Sequence, residues 1–449
     1  MTTSTGSPAG GSLGGSISWF GVSYLLSITG FLVLNALAAR ALGIEDFGRF
    51  VVIYTASLVA GQIGLIGVHR AGVREVARLE RFDLPHATDL KDDLQTVSLT
   101  SLPLVAVVVG LGSSIVFGSA EDPNLILGIS VSGLTYFSGQ QKLVSHYLRG
   151  LGRIGAAGLL EGRSGGGLVT VLQAGLLAVW MAAGFRTGLS TLVILLTCAY
   201  VVPTIWGRLV VRSFWPRGKH ALNHIGRLRV LWSRDWRFFV LSTASAASQY
   251  VEVWLAGALL IAADSSYFSA SHRLASLLVV PLASLQVVTS PVISRLWNRR
   301  ELVNLQSLAR TAASAATVVT LLLTIPILVA PDQVMGLIFG SAFAQAGIVL
   351  LAVSVGMLGN VVSGLCGAVL SMTGHEGASA AVTVASFVLR VSLGLWAGSQ
   401  YGLIGLAISF SAITVMHNLT LALMAVRLTG VITVPTVLPE PRLVLRLRG

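Results

Sequence analysis

Residues 96–118 read TVSLTSLPLVAVVVGLGSSIVFG, a run of 23 residues without a charge. At about 1.5 Å of rise per residue, a helix of this length crosses the roughly 30 Å hydrocarbon core of a bilayer. Similar apolar runs recur on both sides, to both ends of the chain. Working outward, spans are expected at 17–39, 47–68, 96–118, 124–148, 158–181, 188–211, 238–263, 266–294, 307–330, 342–371, 376–399 and 402–427. The expected fold class is an all-α polytopic membrane protein of about 12 transmembrane helices. The fifth span is the least regular, because Glu161, Arg163 and the glycines 165–167 dilute its start.

Composition agrees. Charged residues make up 11% of the 449, hydrophobic residues 54%, and the mean hydropathy is +0.81. An average soluble domain carries about 25% charged residues, so this chain has too little polar surface for water. The net charge of +12 comes from bases scattered between apolar runs, without the single basic face that nucleic acid would need. Cys198 and Cys366 each stand alone in an apolar run, which rules out a disulfide framework or a thiolate metal site. Residues 1–16 lack a basic n-region, and the first apolar run is too long for a signal peptide, so a disordered cytoplasmic tail is expected there.

The bases then orient the spans, since cytoplasmic loops collect Lys and Arg. With both termini in the cytoplasm, 25 of the 30 basic residues fall on the cytoplasmic side and three, Arg40, Arg49 and Arg186, on the outer side. Arg273 and Arg390 fall inside spans. The segment 212–237 interleaves seven bases with Trp215, Trp232 and Trp236, a composition that anchors helices to anionic headgroups.

An internal shift of 222 residues relates the two halves. Phe117, Gly118, Ser119 and Ala120 recur as Phe339, Gly340, Ser341 and Ala342. Leu148, Gly152, Gly155 and Ala156 recur as Leu370, Gly374, Gly377 and Ala378. Six spans separate equivalent elements, so the halves have the same orientation, as two parallel six-helix lobes around a central cavity. The expected organisation is a tail at 1–16, lobes at 17–211 and 238–427, a basic linker at 212–237, and a cytoplasmic tail at 428–449.

Soluble-protein motifs read as dull here. Gly150, Gly152 and Gly155 spell GxGxxG after a membrane helix, which is an interhelical turn. His220 and His224 have metal-compatible spacing but no third ligand nearby, so no metal is expected. Asn418, Leu419 and Thr420 form a glycosylation triplet inside a span. With no nucleophile–base pair and no phosphate loop, an enzyme is not expected, and no cofactor is implied.

Ionisable residues inside spans are the sharpest signal, each costing about 2.5–3.5 kcal/mol mid-helix on insertion scales. Counted from the outer span ends at 1.5 Å per residue, Glu252 lies roughly 16 Å deep, Arg273 roughly 10 Å and Arg390 roughly 13 Å. The expectation is one charged layer, in which Glu252 either pairs with Arg273 or serves as a coupling group. Arg390 has no other acid at its depth, so water or an anion should reach it.

Residues 37–78, LAARALGIEDFGRFVVIYTASLVAGQIGLIGVHRAGVREVAR, resemble the opening of the Wzx-type polysaccharide flippases of the multidrug/oligosaccharidyl-lipid/polysaccharide superfamily. Residues 264–297, DSSYFSASHRLASLLVVPLASLQVVTSPVISRLW, and 331–347, PDQVMGLIFGSAFAQAG, resemble its spans 7 to 9 and the turn into span 10. The resemblance implies translocation of a polyprenyl-diphosphate-linked oligosaccharide from the cytoplasmic to the outer leaflet of a bacterial inner membrane, by alternating access, in surface polysaccharide biosynthesis. It implies as partners that substrate, the membrane lipids and the polysaccharide polymerase machinery. Arg273 falls in the stretch that resembles the family's cationic cavity, and Arg390 joins it on burial. Asn35 and Arg49 complete the candidate substrate-binding set. The alternatives are a drug/cation antiporter of the same superfamily, for which the first span offers Asn35 where an acid is usual, and a membrane scaffold without transport.

Overall fold

The computed structural model describes residues 13–70, 72, 76, 84–118, 124–151, 153–160, 166–212 and 224–436. The tail 1–12, the C-terminal residues 437–449, the linker residues 213–223 with His220, and the start of the fifth span at 161–165 lie outside the described residues. The architecture is helical, with no strand among the described residues. The helices run α1 Leu13–Gly64, α2 Leu84–Leu99, α3 Ser101–Val116, α4 Leu125–Gly150, α5 Ile154–Leu160, α6 Gly167–Ala182, α7 Leu189–Arg212 and α8 His224–Ala247. They continue as α9 Val251–Leu259, α10 Ala262–Ala275, α11 Val280–Asn298, α12 Leu302–Val329, α13 Pro331–Phe339, α14 Gly347–Val362, α15 Cys366–Met372 and α16 Glu376–Thr429.

Two of these helices are each two expected spans folded at a glycine. In α1 the break is Gly43 (φ 75°, ψ −173°), and in α16 it is Gly402 (φ 59°, ψ −140°). Both angles lie where a Cβ is strongly disfavoured, so glycine is the residue that lets the chain turn. Among the described residues, seven stretches are long and apolar enough to cross a membrane, including Leu26–Gly64, Asp89–Val116, Leu302–Val329 and Glu376–Thr429.

The helices are built inside out relative to a soluble bundle. On α12 the buried face holds Ala309, Ala312, Ala313, Ala316, Thr320 and Thr324, while Val318, Leu321, Leu322, Ile325 and Leu328 are exposed. Small residues inside allow close helix contact, and large apolar residues outside face a medium that is itself apolar. Thr320 meets its own polar demand by donating to the Leu278 carbonyl at 2.8 Å. The same logic holds for α3, where Gly110 lies so close to α4 that a Cβ would sit 2.4 Å from the Gly128 carbonyl oxygen. This is a multi-pass membrane protein.

The chain divides into two compact units. Unit 1 comprises the described residues within 1–34, 56–185 and 190–243, and unit 2 those within 35–55, 186–189 and 244–449. Unit 1 has a core of Leu65, Val97, Leu102, Leu143 and Tyr147. Unit 2 has one of Ile293, Leu305, Val361, Val369 and Leu421, together with an aromatic group in which the Phe47 ring lies 5.6 Å edge-on to Phe343 and 6.2 Å from Phe339. Residues 35–55, which the sequence reading placed in the first lobe, are tied into unit 2 by Phe47 and by Gly48, whose N–H donates to Ser266 Oγ at 2.6 Å.

Helix boundaries recur with the 222-residue shift. The helix α4 opens at Leu125 and α14 at Gly347; α4 closes at Gly150 and α15 at Met372; α5 opens at Ile154 and α16 at Glu376. The backbone bond that makes the turn recurs as well. The Arg153 N–H donates to the Leu148 carbonyl at 2.9 Å, and the His375 N–H donates to the Leu370 carbonyl at 2.9 Å.

Candidate functional site

The buried charge of unit 2 begins with an interrupted helix. Where the sequence predicted one span over 238–263, α8 stops at Ala247, and the Tyr250 N–H bonds back to the Ala247 carbonyl at 3.0 Å. The helix resumes as α9 at Val251, which puts Glu252 in its first turn. A carboxylate is favoured there by the unsatisfied N–H groups and the helix dipole. Two residues on, Trp254 Nε1 donates to Thr55 Oγ1 at 3.0 Å and holds the turn in place.

Arg390 reaches Glu252 from the first arm of α16. Its Nη1 donates to Glu252 Oε1 in an ion pair whose side chains are 13% and 3% exposed. The fold at Gly402 brings the second arm back alongside, so Arg390 Nη2 donates to Thr414 Oγ1 at 3.0 Å. One turn earlier on that arm, the Phe410 ring lies 5.4 Å from the Arg390 guanidinium carbon, within cation–π range. His272 of α10 packs edge-on to Phe410 at 5.1 Å and stacks on Phe268 at 6.0 Å. Carboxylate, hydroxyl and aromatic face thus surround one guanidinium, which the energetics of a buried cation require.

This corrects one expectation. With Glu252 considered as the partner of Arg273, Arg390 was expected to have no other acid at its depth, yet it is the residue on Glu252. Depth along a span does not say which neighbouring helix meets the carboxylate; the break at Ser248–Tyr250 and the packing of α9 on α16 decide that. Arg273, which the sequence reading offered as one partner for Glu252, is buried on α10. Asn35 is buried in α1. Arg49 is exposed and pairs with Asp46 one turn earlier at 3.1 Å. Sequence reading missed Phe410, Thr414 and His272. Their one signal was the four-residue spacing of Phe268 with His272 and of Phe410 with Thr414, which puts each pair on one helix face.

Unit 1 carries a second charged cluster, outside the expected spans. Arg227 of α8 bonds Asp93 Oδ1 through Nε at 2.7 Å and Asp89 Oδ1 through Nη2 at 3.1 Å, and approaches Asp92 at 3.7 Å. Arg234, two turns on, makes an ion pair with Asp93 Oδ2 at 3.0 Å and donates a hydrogen bond to Asp235 Oδ2 at 2.8 Å. The Asp235 hydrogen bonds raise the Arg234 guanidinium above its ordinary range, with Asp93 adding to them against the cost of burial.

A family model for polysaccharide biosynthesis proteins matches residues 13–297, more than half of the chain. The chain belongs to the polysaccharide biosynthesis protein family. Among its relatives is a Haloferax volcanii protein described as the probable low-salt glycan biosynthesis flippase Agl15, 25% identical over 253 residues, or 53% of this chain and 51% of that one. The chain therefore spans about half the length of the curated relative it matches. Among solved structures, the lipid II flippase MurJ in an inward closed conformation superposes with a TM-score of 0.66 at 13% identity, covering 96% of this chain and 90% of that one. An inward-facing multidrug resistance MATE transporter of the MOP superfamily superposes with a TM-score of 0.65 at 16% identity, covering 89% and 93%. At these identities the likeness is one of fold: the chain shares the helical fold of that flippase and of that transporter.

Proposed function

We propose that this protein moves a lipid-linked oligosaccharide from the cytoplasmic to the outer leaflet of the cell membrane by alternating access, and that Arg390 meets the diphosphate of the substrate. The observation that carries the reading is a guanidinium held within the apolar body of unit 2 by Glu252 and Thr414, in a chain of the polysaccharide biosynthesis family. A flipped diphosphate needs a path on which its charges always meet water or cations. Arginine suits this role, being planar, bidentate and never neutral. Of its five N–H donors, Glu252 and Thr414 engage one each, so an incoming phosphate adds to the set or displaces the carboxylate. Glu252 is then the exchange partner, a negative charge that holds the cation between substrates. Arg273 and Asn35, both buried in the same unit, complete the proposed binding set, with Arg49 at its exposed margin. Residues 69–95 and 212–237 face the cytoplasm.

The test is complementation of a flippase-null strain, with membrane abundance measured alongside. Arg390→Lys and Arg273→Lys keep the charge but lose the planar fork, and each is expected to lower surface polysaccharide at ordinary abundance. Normal polysaccharide from both variants would sink the cationic-path reading. Cysteines placed in 69–95 or 212–237 should resist an impermeant reagent in intact cells, and efficient labelling would reverse the topology.

A further inference from the structure

Unit 1 holds a cavity of about 670 Å³ that the charged site of unit 2 does not use. Three helices build it, each through a stripe at helical spacing. On α2, Lys91, Gln95 and Ser98 face inward; on α4, Gln140, Leu143 and Tyr147; on α7, Ile205, Arg208 and Arg212. No carboxylate lines it among the described residues. That is notable because α2 carries Asp89, Asp92 and Asp93. Those acids lie on the other stripe of the helix, where Arg227 and Arg234 bind them. The helix thus sorts its charges, with the carboxylates toward α8 and Lys91 on the cavity wall.

A buried amide also forms part of this wall. Gln140 is 1% exposed; its Oε1 accepts from Ser98 Oγ at 3.2 Å, while its Nε2 has no hydrogen-bond partner. A buried amide left with an unmet N–H costs about 1–3 kcal/mol on folding, so an acceptor from outside is expected to meet it. The remaining walls are apolar, and Leu99, Ile205 and Leu209 at the rim are all more than half exposed. In a membrane protein such a rim opens onto lipid, at the level where the arginines at the end of α7 meet headgroups.

We infer that this cavity binds the phosphate of an anionic lipid, with Lys91, Arg208 and Arg212 on the phosphate oxygens, Gln140 Nε2 donating to one of them, and the first chain carbons against Leu99, Ile205 and Leu209. Two lipids carry this chemistry: bulk anionic phospholipid and a prenyl diphosphate of the kind that bears the proposed substrate. The inference stands on unit 1 alone and does not depend on Arg390 or on transport.

The test is native mass spectrometry of the full chain released from detergent, titrated with phosphatidylglycerol, farnesyl diphosphate, phosphatidylcholine and inorganic diphosphate. The wild type is expected to retain phosphatidylglycerol or farnesyl diphosphate well above phosphatidylcholine, and whichever binds tighter identifies the source. Arg208→Gln with Arg212→Gln should weaken that binding about thirtyfold, at roughly tenfold per 1.4 kcal/mol and about 1 kcal/mol for each base at a membrane surface. Arg208→Lys with Arg212→Lys should bind within a few-fold of wild type, and Gln140→Leu should fall between. Four outcomes overturn the inference: phosphatidylcholine held equally well, inorganic diphosphate held as tightly as farnesyl diphosphate, loss of binding in the Lys variant as in the Gln variant, or binding abolished by Arg390→Gln and untouched by changes at 208 and 212.

Discussion

Both units keep arginine next to carboxylate, and they do so in opposite ways. In unit 1, Arg227 and Arg234 share four aspartates in a network along the first half of α8, where the arginine side chains are 21% and 41% exposed. In unit 2, one arginine meets one glutamate among apolar helices, and both are nearly closed off. A network near water can lose a member and recruit solvent. An isolated pair cannot, because each partner is the other's main compensation for a large desolvation cost. The same residue types therefore give a tolerant anchor in one unit and a sensitive switch point in the other.

The comparison is broken most directly at the pair. Arg390→Ala alone strands a buried carboxylate and should cost about 3–5 kcal/mol of stability, read as lost membrane abundance or a lowered Tm in detergent. Adding Glu252→Leu to Arg390→Met removes both charges, which is often neutral for stability. That double variant is expected to regain abundance and not transport. If it regains both, the pair is structural and the proposed role of Arg390 fails.

A smaller effect is expected in unit 1. Arg227→Ala leaves Asp93 bound by Arg234, so the loss should be about 1–3 kcal/mol, the range for a buried group that loses one charged partner. Because the arginine is partly exposed, the difference in Tm between variant and wild type should shrink from low to high salt. A loss as large as that of Arg390→Ala and independent of salt would erase the contrast between the two units.

The smallest effect is expected at Arg49, whose pair with Asp46 is 53% and 38% exposed on the two side chains. Arg49→Ala should change stability by about 0–1 kcal/mol. A sharp drop in polysaccharide at unchanged Tm would then assign Arg49 a part in transport and none in folding.

Much of this was legible in the chain itself. Apolar runs of about 20 residues between basic loops demand helices, because only intrahelical hydrogen bonds satisfy a backbone in lipid. Gly43 lies in the expected gap between the first two spans and Gly402 is the first residue of the expected last one, since a turn with positive φ selects glycine locally. The shift of 222 residues was visible as paired motifs, and it recurs in helix boundaries and in one backbone bond. That Glu252 is buried and Arg390 largely withdrawn from the surface also followed from the sequence, as composition around a residue reports its medium. Which acid meets which arginine did not follow. Those two residues are 138 positions apart, and their meeting depends on a break at Ser248–Tyr250, a fold at Gly402 and the packing of α9 on α16. Such pairings are settled by the tertiary structure, because hydropathy records how deep a side chain lies and carries no information about the direction from which its partner comes.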